Sequence, residues 1–360
     1  MKNILYIGRY NGIVGGIERY MQKSAELLRR HGYEVHYRYT ENAGFDPECF
    51  SAAFDSVAAF SPEDCRIADA DTLIVHNIIP VDVLNTLPVK KTFFFAHDHN
   101  IYCRRHHYYT PVGRRNCHRK YHPLICKICS LGRNVAPPLE AYRKFPALVL
   151  SDFVAENLKK NGFETVVKLP AFIQTAEPQT QFMPDGVLRI LFLGQLIRGK
   201  GADLMLKTLA KLDIPFSCTI AGNGKDRIML EKLVEKFNLR DKVRFAGFVS
   251  DPEDLWKNSD VFFFPIRWQE PFGLVCPEAM AHGVPVVAFD LGGVREYLSS
   301  DSGVLIPEKS LSDAAAALKQ LAADPERLKK LGKNGYSIVK NKFSEERFME
   351  IFQTLPEVLQ

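Results

Sequence analysis

Two hydrophobic periods alternate along the start of the chain. Apolar runs predict strands over Asn3–Gly8 and Glu34–Tyr39. Between them, apolar positions recur at helical spacing from Ile17 to Leu28, and Gly32 ends the pattern. Because two parallel strands need a helical crossover, this segment predicts a strand–helix–strand unit.

The same alternation continues along the chain. Further strands are predicted over Thr72–His76, Thr92–Ala96, Ala147–Leu150, Leu188–Leu193, Phe216–Ala221, Val243–Phe245, Val261–Phe264 and Val284–Ala288. Helices are predicted around Val154–Asn161, up to about Leu212, up to about Phe237, over Glu278–His282 and over Glu345–Leu355, the last with Ser344 as N-cap.

One stretch lacks periodicity. Residues 171–187 are rich in Pro, Gln and Thr, which is typical of a linker. We therefore predict an α/β fold with Rossmann-like domains over 1–170 and 188–340, facing a central cleft. Residues 341–360 are predicted to form a helix that packs back on the N-terminal domain. Ligands of such sheets bind at the carboxyl ends of the strands.

Composition and the lengths of the apolar runs predict where in the cell the protein is found. The chain is 46% hydrophobic and 25% charged, as is usual for soluble globular proteins. The first apolar run is too short for a signal peptide, and no stretch reaches the roughly 18 apolar residues of a membrane span. We expect a cytoplasmic protein, with contact at the inner face of the membrane left open.

The positive charge is concentrated in one segment. Between Val89 and Phe145 there are 12 Lys or Arg against two acids, Asp98 and Glu140. Such a patch attracts anionic partners, so contact with anionic lipid or an acidic glycan stands beside the interpretation of an ordinary solvated face. Nucleic acid is not expected, because no recognition motif accompanies the charge.

The segment 265–288 carries the main chemical signal. It reads PIRWQEPFGLVCPEAMAHGVPVVA and places Glu270 eight residues before Glu278. Gly273 permits close backbone approach to a ligand, and N–H groups at a following helix start suit a diphosphate. Two glutamates alone would equally suit a loop charge and a carboxylate that complements a helix dipole.

The whole string resembles the Glu-x7-Glu signature of retaining glycosyltransferase family 4 (glycosyl transferases group 1), which has the GT-B fold. Gly194–Gly201 is similar to that family's Gly-Arg-Leu-x3-Lys-Gly loop, with Gln195 in place of the family's arginine. Gly15 and Gly16 resemble its first glycine loop. The resemblance spans nearly the whole chain and is densest from Leu188 to Gly303.

The resemblance implies roles for individual residues. Lys200 would contact the donor diphosphate, with Arg198 as a second cation. Glu270 would hold the transferred sugar, Glu278 the ribose hydroxyls, and His97 the sugar from the other domain. The expected catalytic set is His97, Glu270, Arg198 and Lys200, and the expected donor-binding set is Gly15, Gly16, Gly194, Asn223, Phe272, Gly273, Leu274 and Glu278.

The implied reaction is transfer of a sugar from a nucleotide-diphosphate sugar to a glycan or lipid-linked acceptor, with retained anomeric configuration. It would need no metal, and would serve cell-surface polysaccharide or lipopolysaccharide synthesis. A nucleotide-sugar 2-epimerase and a non-catalytic nucleotide-sugar-binding protein remain alternatives. A dehydrogenase is disfavoured, because Gly8–Gly16 lacks the Gly-x-Gly-x-x-Gly spacing.

Four cysteines within the basic loop over 100–133 form a further motif. Cys103, Cys117, Cys126 and Cys129 include a Cys-x2-Cys pair, a spacing that suits tetrahedral structural zinc. His106, His107, His118 and His122 are alternative ligands. An iron–sulfur cluster and four unrelated reduced cysteines are the other interpretations.

Overall fold

The computed structural model describes residues 2–110, 115–130, 136–179 and 181–359, in which each predicted domain contains a parallel sheet. The chain divides into unit 1, residues 1–170 with 348–360, and unit 2, residues 171–347. Arg114 and Arg133 of the predicted basic loop lie outside the described residues.

Unit 1 contains a seven-stranded parallel sheet in the order β3-β2-β1-β4-β5-β6-β7. Its strands are β1 Asn3–Tyr10, β2 Glu34–Glu41, β3 Ser56–Ala59, β4 Thr72–His76, β5 Thr92–Phe95, β6 Ala147–Val149 and β7 Val166–Lys168. Its helices are α1 Gly16–Arg30, α2 Pro47–Ser51, α3 Cys65–Asp69, α4 Val81–Asn85, α5 Pro123–Cys129, α6 Leu139–Tyr142 and α7 Asp152–Lys160, with a 3-10 turn at Val89–Lys91.

Unit 2 contains a six-stranded parallel sheet in the order β10-β9-β8-β11-β12-β13. Its strands are β8 Leu188–Leu193, β9 Phe216–Ala221, β10 Val243–Gly247, β11 Val261–Phe264, β12 Val286–Phe289 and β13 Gly303–Ile306. Its helices are α8 Ala202–Leu209, α9 Arg227–Lys236, α10 Glu253–Lys257, α11 Val275–Ala281, α12 Leu311–Ala323 and α13 Pro325–Lys342, with 3-10 turns at Arg198–Lys200 and Gly292–Glu296.

The last helix, α14, spans Glu345–Val358, and its residues from Phe348 onward group with unit 1. Ser344 caps it as predicted, since its hydroxyl accepts from Arg347 N at 3.2 Å. Phe352 is fully buried and its ring meets Tyr33 edge-to-face at 5.8 Å between centroids.

Strand order locates the switch point of each sheet. In unit 1 the order reverses between β1 and β4, and in unit 2 between β8 and β11. Ligands of doubly wound sheets bind outside the carboxyl ends of the strands at such points. The loops after Tyr10, His76, Leu193 and Phe264 are therefore the places to look for a site.

Candidate functional site

Glu270 lies in the loop that follows β11, and two hydrogen-bond donors hold its carboxylate. Lys200 Nζ lies 2.9 Å from Glu270 Oε2, and Trp268 Nε1 donates to the same oxygen at 3.1 Å. The Lys200 and Glu270 side chains are 23% and 13% exposed. Charge-assisted hydrogen bonds are strong where water is partly excluded, so this pair fixes both side chains.

A buried arginine ties the two loops of this site together. The Arg267 guanidinium forms a two-pronged ion pair with Asp203, and its Nη1 also donates to the Arg198 carbonyl at 2.8 Å. Its backbone N–H donates to the Gly199 carbonyl at 2.9 Å. Burial acts to raise the pKa of Asp203, but the bonds and charge of Arg267 outweigh it and the pKa is lowered. The turn before Lys200 is thus anchored to the loop after β11.

Glycines allow these loops to approach closely. A Cβ at Gly199 would lie 1.7 Å from the Trp268 ring. At Gly292, where φ is +67°, a Cβ would lie 2.1 Å from the Glu270 carbonyl oxygen. That same carbonyl accepts from Gly293 N at 2.8 Å. The backbone around Glu270 is therefore packed against two other turns that only glycine can form without displacement.

The turn at Gly273 leads into α11 with a left-handed backbone, φ +83°. Tyr297 OH donates to the Phe272 carbonyl at 2.8 Å and braces the turn. The helix begins at Val275, so Glu278 is its fourth residue rather than its first. The Glu278 N–H donates to the Leu274 carbonyl, and the partly buried Glu278 side chain sits one turn into the helix.

Gly194 and Asn223 lie next to each other at the ends of β8 and β9. Gly194 N donates to the Ala221 carbonyl, and Leu196 N donates to the Asn223 carbonyl at 2.8 Å. Asn223, Gln195 and Arg198 have exposed side chains. Within the described part of the chain, Arg198 is engaged through its carbonyl, and its guanidinium faces solvent.

Unit 1 places its predicted residues at the corresponding edge of its own sheet. Gly15 precedes α1, and its N–H donates to Oε2 of the buried Glu18 at 2.8 Å. His97 follows β5, stacks on Phe95 at 4.2 Å and lies with Nε2 2.9 Å from Nδ1 of His76. Burial lowers the pKa of His97 to about 3. Burial, and then the charge of His97, hold the pKa of His76 well below its usual value.

Asp98 is a second perturbed group beside His97. Desolvation raises its pKa to about 6, against the opposing effect of its hydrogen bonds. Its two oxygens accept from the backbone and side-chain nitrogens of Asn100 at 2.8 and 2.7 Å. Perturbed carboxyls and imidazoles often cluster at functional sites.

The predicted residues therefore form two groups. Lys200, Arg198, Glu270 and the donor-loop residues lie at the carboxyl edge of the unit 2 sheet, and Gly15, Gly16 and His97 at that of unit 1. Sequence reasoning missed Trp268, Arg267, Asp203 and His76 as supporting residues. Trp268 and Arg267 precede Glu270 within the motif itself, and His76 is the polar end of a buried strand. The sequence therefore contained a signal for these three residues.

The cysteine motif gains no support as a zinc site. All four of its cysteines are free thiols, with Cys103 and Cys117 packed against the unit 1 core. Burial raises the pKa of Cys103, as do the neighbouring thiols of Cys117 and Cys126. Within the described ranges, no group of three or more His, Cys, Asp or Glu side chains is arranged to hold a metal ion.

Comparison with known proteins adds the family. Residues 174–338 match the family model of glycosyl transferases group 1, which confirms the resemblance to that group over these residues. An uncharacterised glycosyltransferase of Methanocaldococcus jannaschii is 34% identical over 140 residues, 38% of this chain and 36% of the relative. The D-inositol 3-phosphate glycosyltransferase of Arthrobacter sp. strain FB24 is 32% identical over 185 residues, 49% of this chain and 44% of the relative. The chain thus spans between about a third and a half of these relatives.

Solved structures similar to this chain cover nearly its whole length. HepE of Anabaena, solved in complex with UDP, superposes with a TM-score of 0.76 at 17% identity, covering 99% of this chain and 100% of HepE. A glycosyltransferase of Rickettsia africae ESF-5 superposes with a TM-score of 0.77 at 15% identity, covering 99% and 98%. At these identities the likeness establishes the fold, and the predicted GT-B fold is confirmed.

Proposed function

We propose that this chain, whose residues 174–338 carry the domain of glycosyl transferases group 1, transfers a sugar from a nucleotide-diphosphate sugar to an acceptor hydroxyl. The observation that carries the proposal is the Glu270 carboxylate between Lys200 Nζ and Trp268 Nε1, at the switch point of the unit 2 sheet. A fixed cation beside a fixed carboxylate suits a ligand that joins a diphosphate to a sugar.

Each side chain takes one role in this proposal. Lys200, supported by Arg198 and the turn amides at Gly273, stabilises charge on the departing diphosphate. Glu270 accepts from hydroxyls of the transferred sugar, and Glu278 accepts from those of the ribose. The Gly194 and Asn223 turns border the nucleotide, and His97 of unit 1 contacts the sugar. The departing phosphate helps to deprotonate the acceptor, and the anomeric configuration is retained without a metal.

The acceptor is proposed to be a glycan or a lipid-linked glycan of the cell surface. Support comes from a relative named as a lipopolysaccharide core biosynthesis glycosyltransferase of Rhizobium meliloti, 25% identical over 173 residues. The donor base is proposed to be uracil, because HepE was solved with UDP.

The first test measures donor binding. A ligand that binds only the folded state raises its melting temperature, so UDP should stabilise the chain more than GDP or ADP. Lys200→Ala should abolish most of that shift. Lys319→Ala, which removes an exposed pairing with Asp213 elsewhere in unit 2, is the matched control and should keep it. Equal shifts in both variants would contradict the role of Lys200.

The second test measures catalysis. Lys200→Ala and Glu270→Gln should each lower kcat/KM by about 100-fold or more, as loss of a charged transition-state contact does. Because the two side chains bind each other at 2.9 Å, the double variant should lose far less than the product of the single losses. Multiplicative losses would show that the pair does not act as a unit.

Product analysis separates the remaining alternatives. The proposal expects the donor's anomeric configuration in the product, and activity that survives chelation. With donor alone, a transferase gives slow hydrolysis, whereas an epimerase would release the epimeric nucleotide sugar. A binding protein without catalytic function would leave cellular function unchanged in Glu270→Ala.

A further inference from the structure

The short helix α5 has two unlike faces. In the angular order of an α-helix, Leu124, Ile128 and Ile125 fall within about 100° of one another, Cys126 lies about 160° from Leu124 and Ile128, and Cys129 lies between Ile125 and Cys126. The three apolar side chains are 69%, 76% and 43% exposed. The cysteine side is half-buried, and Arg105 Nη1 reaches the Cys129 carbonyl at 3.4 Å. The helix is therefore attached by one face and presents the other to solvent.

Cations lie close to the apolar face in the sequence. Lys120 and Lys127 are exposed within four residues of the apolar positions, and Arg115 and Arg119 are exposed earlier in the chain. The sequence contains no acid between Asp98 and Glu140. The helix is set in place by His122, whose Nδ1 accepts from Ile125 N at 3.3 Å, and by Pro123 at its first position. Exposed apolar side chains in a segment whose only acidic or strongly basic residues are Lys and Arg match the interface of a membrane with anionic headgroups.

We propose that α5 docks the chain on an anionic lipid surface, with Leu124, Ile125 and Ile128 entering the headgroup boundary and Arg119, Lys120 and Lys127 binding lipid phosphates. The lack of any acid in the sequence between Asp98 and Glu140 favours lipid over a second copy of this chain, because two copies of the same basic segment would repel each other. No helix among the described residues is long and apolar enough to cross a membrane. The proposed contact is at the surface.

The surface is independent of the proposed transferase chemistry, because none of its residues belongs to the donor or sugar contacts. Membrane binding would bring the chain to lipid-linked acceptors. If the chain did not bind membranes, its activity on a soluble acceptor would be unaffected. If the proposed transferase activity were absent, vesicle binding would be unaffected.

The experiment is co-sedimentation of the full chain with lipid vesicles. The chain should bind vesicles that mix phosphatidylcholine with phosphatidylglycerol, and bind phosphatidylcholine alone at least about tenfold more weakly, since each lysine or arginine near an anionic surface contributes about 1 kcal/mol, or about fivefold. Leu124→Ser/Ile128→Ser should weaken binding to the mixed vesicles by at least about tenfold, because two large apolar side chains lose their burial.

The matched control is Ile228→Ser/Met229→Ser on α9 of unit 2, where the side chains are 69% and 40% exposed. It should bind vesicles like the wild type. Lys120→Glu/Lys127→Glu should remove the preference for phosphatidylglycerol. Equal melting temperatures will confirm that each variant folds.

Three outcomes would overturn the proposal. They are failure of the wild type to sediment with mixed vesicles, equal loss in the α9 control, and wild-type binding by Leu124→Ser/Ile128→Ser. A change from dimer to monomer in that last variant, without any vesicle binding, would assign the face to a contact between copies of the chain.

Discussion

At the scale of single residues, the proton on the His76–His97 pair can be assigned. Nε2 of His76 is buried and has no hydrogen-bond partner among the described residues. An orphaned N–H costs more than an orphaned acceptor, so the proton of His76 belongs on Nδ1. It is then donated to His97 Nε2 across 2.9 Å. His97 must carry its own proton on Nδ1 and offers a donor there.

This assignment predicts a graded effect of substitution at His76. His76→Leu removes the donor and should lower kcat of sugar transfer about tenfold, the value of one correctly oriented hydrogen bond. His76→Asn keeps an amide donor near the same position and should retain most of the activity. The measurement is kcat and KM for both variants at matched melting temperatures. Equal losses would mean that His76 contributes only packing.

The same residues predict how stability responds to pH. The pKa of His97 is about 3 in the folded chain, against about 6.5 when unfolded. The unfolded state therefore binds the proton more tightly, and stability present above pH 6.5 is lost on acidification by about 1.4 kcal/mol per pH unit. The lowered pKa of His76 likewise makes the free energy of unfolding fall on acidification.

Asp98 opposes this trend. Its pKa of about 6 exceeds the unfolded value of about 3.9, so its contribution is lost as pH rises between them. Two histidines outweigh one carboxyl, and the free energy of unfolding should fall from pH 6.5 to 5. His97→Gln should flatten that slope and Asp98→Asn should steepen it, as measured by urea unfolding. Changes of the same sign in both variants would contradict the assignment.

At the scale of elements, the loop after β8 and the loop after β11 act together through Gly199 and Trp268. A methyl group at residue 199 would lie 1.7 Å from the indole, so Gly199→Ala must displace it from Glu270. We expect kcat/KM to fall about 10- to 100-fold, the value of a hydrogen bond to a charged group. Trp268→Phe should lose a similar amount, and the double variant little more. Additive losses would show two separate effects.

Elements that are buried on both faces were predicted from the sequence more accurately than partly buried ones. Interior strands such as Thr72–His76, Leu188–Leu193, Phe216–Ala221 and Val261–Phe264 have the predicted bounds, because runs of this length bounded by turn signals are too short for most helices. Edge strands β3, β7 and β13 were not predicted, and their burial is partial. Helices α12 and α13 were also missed, although their helical period is visible from Leu311 onward.

The predicted irregular loop over 100–133 was wrong in part, since it contains α5. This helix has an apolar side facing solvent and cysteines facing the protein, the reverse of the usual pattern, and its polarity therefore did not identify it. The donor motif could be predicted because its residues are contiguous. Its support from Asp203, Gly199 and Gly292 could not, because those contacts join segments far apart in sequence.

At the scale of the whole molecule, the distribution of tryptophan makes the two units separately observable. Both tryptophans, Trp256 and Trp268, lie in unit 2, and Trp256 is almost fully buried. Their fluorescence therefore reports the unfolding of unit 2, whereas far-UV circular dichroism reports both units. Domains with separate cores can unfold in separate transitions.

Donor binding should therefore shift one transition selectively. A nucleoside diphosphate at about 100 times its Kd stabilises its binding unit by about 2.7 kcal/mol, which corresponds to about 5–10 °C for a unit of this size. We expect that shift in the tryptophan signal, with the second dichroic transition unchanged. Phe352→Ala empties a buried position of unit 1, and loss of a buried Phe costs about 3–5 kcal/mol. This variant should therefore lower the melting temperature of the unit 1 transition and leave the tryptophan signal of unit 2 unchanged. If the nucleotide moved both transitions equally, the proposal that Lys200, Glu278 and the Gly273 turn of unit 2 supply the main contacts to the nucleoside diphosphate would be wrong.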